Sequence, residues 1–210
     1  METRLKYPRT PHLSFSMGRT SDDKVLRSVD HFIGNEIVVT TKMDGENSTI
    51  ARAYSHARST SSGDHESRSW LKRWHGEIAH NIPEGMRICG ENLYAKHSIE
   101  YDDLPSYFLG FSMWNGDECL SWDETLEYFE LLGIQPVPVM YRGLFDEALL
   151  RRLPETMDLE KQEGFVVRFA ASFKHGEFGL RMAKWVREKH VQTDDHWMFQ
   201  KVVPNKLRPI

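Results

Sequence analysis

The sequence predicts an α+β fold of antiparallel β-sheets flanked by helices. Three observations point there: short runs rich in β-branched and aromatic residues recur along the chain, they outnumber the helical patterns, and they mostly do not alternate with them as a doubly wound fold requires. Residues 1–30, punctuated by Pro8, Pro11 and Gly18, read as irregular. Strand signals follow at 36–43 and 49–54, and then residues 55–69, crowded with Ser, Arg, His, Thr and Gly, form the most loop-like stretch. Trp70, Trp74 and Ile78 recur every four residues and share one helical face. Strands are predicted at 86–91 and 107–114. Ser121-Trp122-Asp123-Glu124 is a capping box ahead of a helix over 125–132, with Gly133 as its stop. Residues 144–153 are a third helix, closed by Pro154, and strands at 164–169 and 179–186 complete the pattern.

The chain has 210 residues, of which 40% are hydrophobic and 28% charged. This excludes a disordered or fibrous protein and allows a sizeable core. No run approaches the ~18–20 apolar residues of a membrane span, and the N-terminus lacks the apolar segment of a secretory signal. Cys89 and Cys119 are too few for a disulfide framework, and no Cys/His spacing suggests zinc. The expected setting is a reducing cytoplasm, with no membrane partner. The net charge of −4 argues against a passive nucleic-acid coat. It does not exclude an enzyme that combines carboxylates for a divalent metal with a basic groove.

The chemistry concentrates in five short segments. In Thr41-Lys42-Met43-Asp44-Gly45-Glu46-Asn47, the apolar Ile37-Val38-Val39 leads into a lysine and then a turn. A lysine held stiffly at a strand end, with its pKa depressed by burial and nearby cations, supplies an amine nucleophile. By itself the segment reads equally as a surface lysine beside a β-turn. The others are Gly90-Glu91-Asn92-Leu93-Tyr94, the aromatic run 107–113 containing Phe111, Glu163-Gly164-Phe165-Val166-Val167-Arg168, and Leu180-Arg181-Met182-Ala183-Lys184-Trp185. Singly, each suits a turn or a core strand. Their order is what carries information.

That ordered set resembles the covalent nucleotidyltransferase superfamily of ATP-dependent DNA ligases, RNA ligases and messenger-RNA capping enzymes. It spans about two-thirds of the chain, from Lys42 to Lys184. Asn47 after Lys-x-Asp-Gly-Glu resembles the RNA-ligase branch, where DNA ligases and capping enzymes more often carry Arg in this neighbourhood. The resemblance implies one nucleotidyltransferase (ATP-grasp-like ligase) domain over residues 1–210, without an OB domain. It implies an ATP-dependent RNA ligase for RNA repair that joins 5′-phosphate and 3′-hydroxyl ends through a lysyl–AMP intermediate and an adenylylated 5′ end. Lys42 would attack the α-phosphorus of ATP and Lys184 would contact the α-phosphate, as the two catalytic residues. Glu91 would bond the ribose, Phe111 would stack on adenine, and Asn47 would orient phosphate oxygens. Thr41, Asp44, Gly45 and Arg58 complete the nucleotide-binding set. Glu163, with Glu91, would hold Mg²⁺ or Mn²⁺, a hard cation that keeps several waters and takes one or two carboxylates. Charge spreading over phosphate oxygens calls for such cations. RNA ends are the implied substrate, and an end-healing kinase or phosphatase a possible partner.

The chain departs from the pattern in two ways. Relatives often carry two lysines on one strand face in the last motif, whereas Met182 here stands two residues before Lys184 and Val186 two after. Arg181 and Arg187 have the opposite strand parity. Relatives also commonly attach a second domain, which the 41 residues before Lys42 and 26 after Lys184 are not expected to hold. The alternatives are a DNA nick ligase, a capping guanylyltransferase, and an inactive nucleic-acid-binding module. Retention of Lys42, Glu91, Glu163 and Lys184, costly charges to bury, weighs against the last. Residues 8–13 read as wrapping the core rather than lining a nucleotide pocket, and Trp70 and Trp74 as core rather than base-stacking platforms. His190, Asp194, Asp195, His196 and Trp197 read as a solvated cap rather than a metal or substrate site. Arg181, Lys184, Arg187 and Lys189 could line a phosphate groove or simply face water.

Overall fold

A computed structural model describes residues 4–60, 63–188 and 201–209. In chain order its strands and helices are β1 (Glu36–Lys42), β2 (Glu46–Ala51), β3 (Tyr54–Ala57), α1 (Ser69–Ile78), β4 (Met86–Asn92), β5 (Phe108–Asn115), β6 (Glu118–Cys119), α2 (Trp122–Leu132), β7 (Gln135–Pro136), β8 (Val139–Leu144), α3 (Glu147–Thr156), β9 (Gly164–Phe169), β10 (Phe173–Lys174), α4 (Phe178–Arg181) and β11 (Met182–Val186). They form a four-stranded sheet, β11-β9-β1-β8, and a seven-stranded sheet, β10-β6-β5-β4-β2-β3, with β7 beside β5. Every ladder is antiparallel except β5 with β7.

The two sheets share a core. Ile37, Val39, Phe165, Val167, Ala183 and Trp185 of the smaller sheet pack with Cys89, Trp114 and Cys119 of the larger. β1 is apolar on both faces, because Val38 enters a second cluster with Leu93, Leu109 and Trp122; a strand buried on both sides reads as a continuous apolar run. Helices α1 and α2 cover the outer face of the larger sheet, where Leu71 and Phe129 meet Ile50, Ile88 and Phe108. Trp70 and Trp74 stack at 5.5 Å and pack against this cluster. Cys89 and Cys119 are buried free thiols.

Arg168, on β9 and 2% exposed, ties the sheets together. Its guanidinium donates to the carbonyls of Leu120 (2.8 Å) and Phe111 (3.3 Å) and lies over Trp122 at 5.3 Å. Carbonyl dipoles and aromatic faces, rather than a carboxylate, solvate the charge.

Several boundaries differ from the sequence expectation. The strand predicted at 49–54 is β2, which turns at Arg52 into β3, inside the stretch read as loop. An edge strand with polar side chains lacks the alternation that reveals a half-buried one. The strand predicted at 179–186 begins only at Met182, after the single turn α4. The segment predicted as helix from 144 starts with the end of β8, whose exposed edge position hides its pattern. Asp146 then caps α3 by accepting the Leu149 N–H at 3.0 Å. Pro154 lies inside α3 rather than closing it; in the last turns of a helix it removes one backbone bond and leaves little helix to break. The capping box of α2 forms as read, and Gly133 stops the helix at φ 67°.

Both chain ends serve as straps. Residues 11–13 cover the free edge of β11, with Lys184 N–H bonded to Pro11 O and Leu13 N–H to Lys184 O. Residues 201–209 bond to the β4–β5 loop, for example Asn205 N–H to Tyr94 O at 2.9 Å. No helix among the described residues is long and apolar enough to cross a membrane.

Replacing Arg168 with Met is expected to cost about 2–4 kcal/mol, because the carbonyls of Leu120 and Phe111 lose buried donors. Chemical denaturation of the variant and wild type measures it, and an unchanged midpoint would show that the arginine does not join the sheets energetically.

Candidate active site

The site is built where β1 ends. Lys42 is the last residue of β1 and lies opposite Gly164, the first of β9. A Cβ on Gly164 would sit 2.0 Å from Trp185 O, so only glycine allows β9 and β11 to approach here. The pairing of Gly164 with Lys42 places the preceding Glu163 beside the lysine, and the two form an ion pair, with the Lys42 side chain 24% and the Glu163 side chain 8% exposed. Lys184 enters from β11, one strand further on.

After Lys42 the chain turns tightly into β2. Gly45 is required in that turn, since a Cβ would meet Asn92 O at 2.5 Å. Its N–H donates to Glu91 Oε1 at 3.2 Å. Asp44 faces away from the cavity: its carboxylate accepts the Ile99 N–H at 2.7 Å, and its own N–H donates to the Tyr101 hydroxyl at 2.9 Å. Successive β2 residues then point to opposite faces. Glu46 forms a buried two-point ion pair with Arg68, whose Nε lies 2.7 Å from Oε2. Asn47 faces the cavity, with Oδ1 buried and without a hydrogen-bond partner among the described residues.

The cavity holds about 460 Å³. Thr41, Lys42, Gly45 and Asn47 form one wall, and Arg58, Glu91, Phe111 and Lys184 close around them. Phe111 stands edge-on to Tyr7 at 5.3 Å. Of the residues singled out in the sequence, Asp44 and Glu163 do not line the cavity; Glu163 reaches it through Lys42. The N-terminal segment lines it as well as wrapping the core, contrary to expectation: Arg9 and Thr10 reach it directly, as do Asp23 and Lys24. An irregular segment carries no periodicity that could show this in advance.

Burial of the Glu91 carboxyl pushes it up to about 8, helped by Glu163 and Asp44 and opposed by Lys42. Burial and Glu163 likewise raise Asp44 to about 6. Lys42 corrects the sequence expectation: burial alone would depress its pKa, but Glu163, Glu91 and Asp44 outweigh burial and hold the ammonium above its ordinary range. Lys184 behaves oppositely, lowered by burial and by Lys42. Burial and the neighbouring Arg9 lower Arg58. Both guanidiniums donate to backbone carbonyls, Arg58 to Tyr7 O at 3.3 Å and Arg9 to Asp22 O at 3.4 Å. Two neighbouring cations held by carbonyls, with no carboxylate partner among the described residues, suit an anionic ligand.

Neither arginine flanking the last motif replaces the lysine missing at Met182. Arg181 pairs with Glu177 and lies over Phe169 at 4.5 Å. Arg187 contributes its N–H to Glu163 O, and its Nε is buried without a partner among the described residues. Met182 itself lines the cavity. Lys189 and the cluster His190, Asp194, Asp195, His196 and Trp197 lie outside the described residues.

Three carboxyl groups, of Glu163, Glu91 and Asp44, lie near one lysine, and ionisation of Glu91 would leave negative charge for a further cation. Among the described residues no three His, Cys, Asp or Glu side chains converge as a metal cage. A hydrated Mg²⁺ or Mn²⁺ needs only one or two carboxylates, so Glu163 and Glu91 fit it.

A family model for RNA ligases matches residues 35–186, most of the chain. The chain belongs to the RNA ligase family. No curated protein sequence matches it significantly. Among solved structures, an RNA ligase of Naegleria gruberi with pyrophosphate is 16% identical, at a TM-score of 0.53 over 88% of this chain and 61% of that one. A mutant of that ligase with AMP and Mn is 15% identical, with a TM-score of 0.51 over 75% and 51%. An archaeal ATP-dependent RNA ligase is 15% identical, with a TM-score of 0.57 over 83% and 48%. A chain of Aquifex aeolicus assigned as an ATP-dependent DNA ligase is 17% identical, with a TM-score of 0.57 over 89% and 50%. At such identities the likeness shows the fold, the antiparallel α+β nucleotidyltransferase fold. This RNA ligase family member spans about half to three-fifths of the length of these neighbours.

Glu91 makes stability fall with pH. Its carboxyl, raised in the folded state to about 8, stays protonated there while the unfolded chain ionises above the ordinary value of 4.5. Its contribution is therefore full below pH 4.5 and lost as pH rises through 8. In chelator-treated protein, Glu91→Gln should lose less melting temperature than wild type between pH 5 and 8. Parallel pH profiles would show that Glu91 ionises normally.

Proposed function

We propose that this chain is an ATP-dependent RNA ligase that works through a covalent lysyl–AMP intermediate. The observation that carries the reading is the convergence of Lys42, Glu91, Asn47, Arg58 and Lys184 on one nucleotide-sized cavity, with Glu163 paired to Lys42 from behind. Lys42 Nζ attacks the α-phosphorus of ATP. An N–P bond forms, the bond to the bridging oxygen of pyrophosphate breaks, and the ammonium Nζ gives up two of its three protons, to the paired Glu163 and to solvent, and keeps the third. AMP then passes to a 5′-phosphate, and a 3′-hydroxyl displaces it to form the phosphodiester.

The side chains divide this work. Glu163 accepts the Lys42 Nζ–H and so aims the amine into the cavity. Glu91, protonated near neutrality, offers both a donor and an acceptor to a ribose. Asn47 Oδ1, buried without a partner among the described residues, would accept a ligand donor, or the flipped amide would present its NH₂ to phosphate oxygens. Phe111 offers a ring face or edge to adenine. Lys184, Arg58, Arg9 and Lys24 supply the positive charge that a triphosphate and its transition state need. Glu163, and Glu91 once it has given up its proton, would hold Mg²⁺ or Mn²⁺, which would neutralise phosphate charge and relieve the carboxylates' hold on Lys42, favouring the free amine.

Residues 1–210 are read as a single nucleotidyltransferase domain, since the described parts of both ends fold onto one body. The two unpaired buried thiols suit a reducing cytoplasm. The 5′-phosphate and 3′-hydroxyl ends would come from an end-healing kinase or phosphatase, which makes RNA repair the fitting role. A second reading, a DNA nick ligase, draws on the likeness to the Aquifex aeolicus chain.

With α-labelled ATP and Mg²⁺, wild type is expected to carry label through denaturing electrophoresis. Lys42→Ala should lose the label yet still seal a pre-adenylylated strand. Lys42→Arg should also fail, because a guanidinium does not deprotonate in proteins. A persistent adduct in Lys42→Ala would remove Lys42 as nucleophile.

Sealing of matched strands that differ only in ribose or deoxyribose at the 3′-side end separates the two ligase readings. RNA ends should be preferred, because the 2′-hydroxyl is the group that distinguishes them. Equal sealing of an all-DNA 3′ strand would favour the DNA-ligase reading and leave the lysyl–AMP chemistry standing.

A further inference from the structure

We propose that Tyr101 and Asn205 are positioning residues for Lys42, acting as a buttress through which the segment 201–209 holds the nucleophile's turn in place; this rests on Lys42 being the nucleophile. The starting point is where the β-ladder stops. Lys42 is the last residue of β1 with a cross-strand partner, so Met43, Asp44 and Gly45 must be held by something other than the sheet. Gly45 is held by Glu91. Asp44 is held from the β4–β5 loop: its N–H donates to Tyr101 Oη, and its carboxylate accepts from the backbone of Ile99 and Ser98. Met43 packs in the same buried cluster as Leu93, Ile99 and Tyr101.

The loop is in turn clamped by a segment more than 100 residues away. Tyr101 N–H donates to Asn205 Oδ1 at 2.9 Å, and Tyr101 O accepts the Lys206 N–H at 2.9 Å. Asn205 Nδ2 donates to Leu93 O at 2.8 Å, its N–H donates to Tyr94 O, and its carbonyl accepts the Tyr107 hydroxyl at 2.9 Å. Asn205 is 2% exposed, and its side chain grips both arms of the loop, at Leu93 and at Tyr101. Both backbone polar groups of Tyr101 are thus fixed by the strap, while its hydroxyl fixes Asp44, two residues from Lys42. The line runs Asn205, Tyr101, Asp44 through hydrogen bonds at buried positions, where an unmade bond is not replaced by water, and reaches Lys42 along the backbone through Met43. A phenylalanine at 101 would keep the ring and leave the buried Asp44 N–H without its acceptor, so the turn must shift to find another. Lys42 moves with it, away from an in-line approach to phosphorus, where small displacements cost large factors in rate.

The test uses full-length wild type, Tyr101→Phe and Asn205→Ala, each measured for the rate of protein–AMP formation over a range of ATP, for sealing of a pre-adenylylated RNA strand, and for thermal melting. In Tyr101→Phe the maximal rate of protein–AMP formation is expected to fall about tenfold or more, with half-saturating ATP changed less than about threefold and sealing of the pre-adenylylated strand within about twofold. Asn205→Ala should shift the same step in the same sense; if it does not fold, Tyr101→Phe decides alone. Undiminished adenylylation per folded molecule overturns the proposal, and so does an equal loss in both steps, which marks a merely structural role. A wild type that takes no label from ATP refutes the nucleophile reading itself and this inference with it. A labelled wild type with an equally labelled Tyr101→Phe refutes the buttress alone.

Discussion

An ammonium group at the inner end of a β-strand is tolerable only if opposite charge is brought to it, and here three separate elements bring it. Glu163 arrives from the start of β9, Glu91 from β4, and Asp44 from the turn that follows the lysine itself. Together they over-compensate Lys42: the lysine is held protonated, while burial and mutual repulsion push Glu91 and Asp44 toward their neutral forms. The cluster is therefore short of positive charge. On the proposed ligase reading, a nucleotide bringing a divalent cation would supply it and would loosen the hold on the Lys42 amine. Charge balance, rather than burial of the lysine alone, sets the state of Lys42.

Much of the backbone geometry serves to bring those carboxylates together. Gly164 lets β11 pack against β9 at the level of Glu163, and Gly45 lets the turn nest beneath the end of β4 so that Glu91 can reach its N–H. Neither position has room for a methyl group. Arg168 then fixes the smaller sheet to the larger, so the wall that carries Glu163 and Lys184 cannot slide past the wall that carries Glu91 and Phe111. The buried pair of Glu46 and Arg68 has a comparable effect on β2: with Glu46 held on one face, strand alternation directs Asn47 to the other, into the cavity.

The legible parts of the sequence were those where local pattern and tertiary demand coincide. The apolar run of β1 and the capping box of α2 needed no context, and the order of the short motifs pointed to the family. The edge strand β8 is obscured because an exposed edge imposes no alternation, and β3 because four residues are too few to show one. The one-turn α4 was absorbed into a strand signal by the aliphatic and aromatic residues on either side of it. At the site, the motif residues that face the cavity and those that support it look alike in one dimension. Asp44 and Glu46 share a motif with Lys42 and Asn47, yet both point away, one to the β4–β5 loop and the other to Arg68. The raised pKa of Lys42 was missed for the same reason: how many carboxylates converge is a property of the assembled sheets.

The N-terminal strap resolves the puzzle left by Met182. A strand presents side chains to a given face only at alternate positions, whereas Arg181 belongs to α4 and Arg187 follows the end of β11; Arg181 pairs with Glu177 and neither arginine lines the cavity, so neither puts a cation in the place of Met182. A segment crossing the strand edge is free of that parity. Residues 11–13 bond along β11, and the chain on either side of them folds back over the cavity mouth, bringing Arg9 and Lys24 to it. The strap thus performs two tasks with one set of backbone bonds: it closes an open sheet edge, and it brings positive charge to a cavity to which β11 itself offers Lys184 and Met182. Because Arg9 and Lys24 sit on a segment tied to β11 rather than within it, the charge at the cavity and the geometry that holds Lys184 can vary separately.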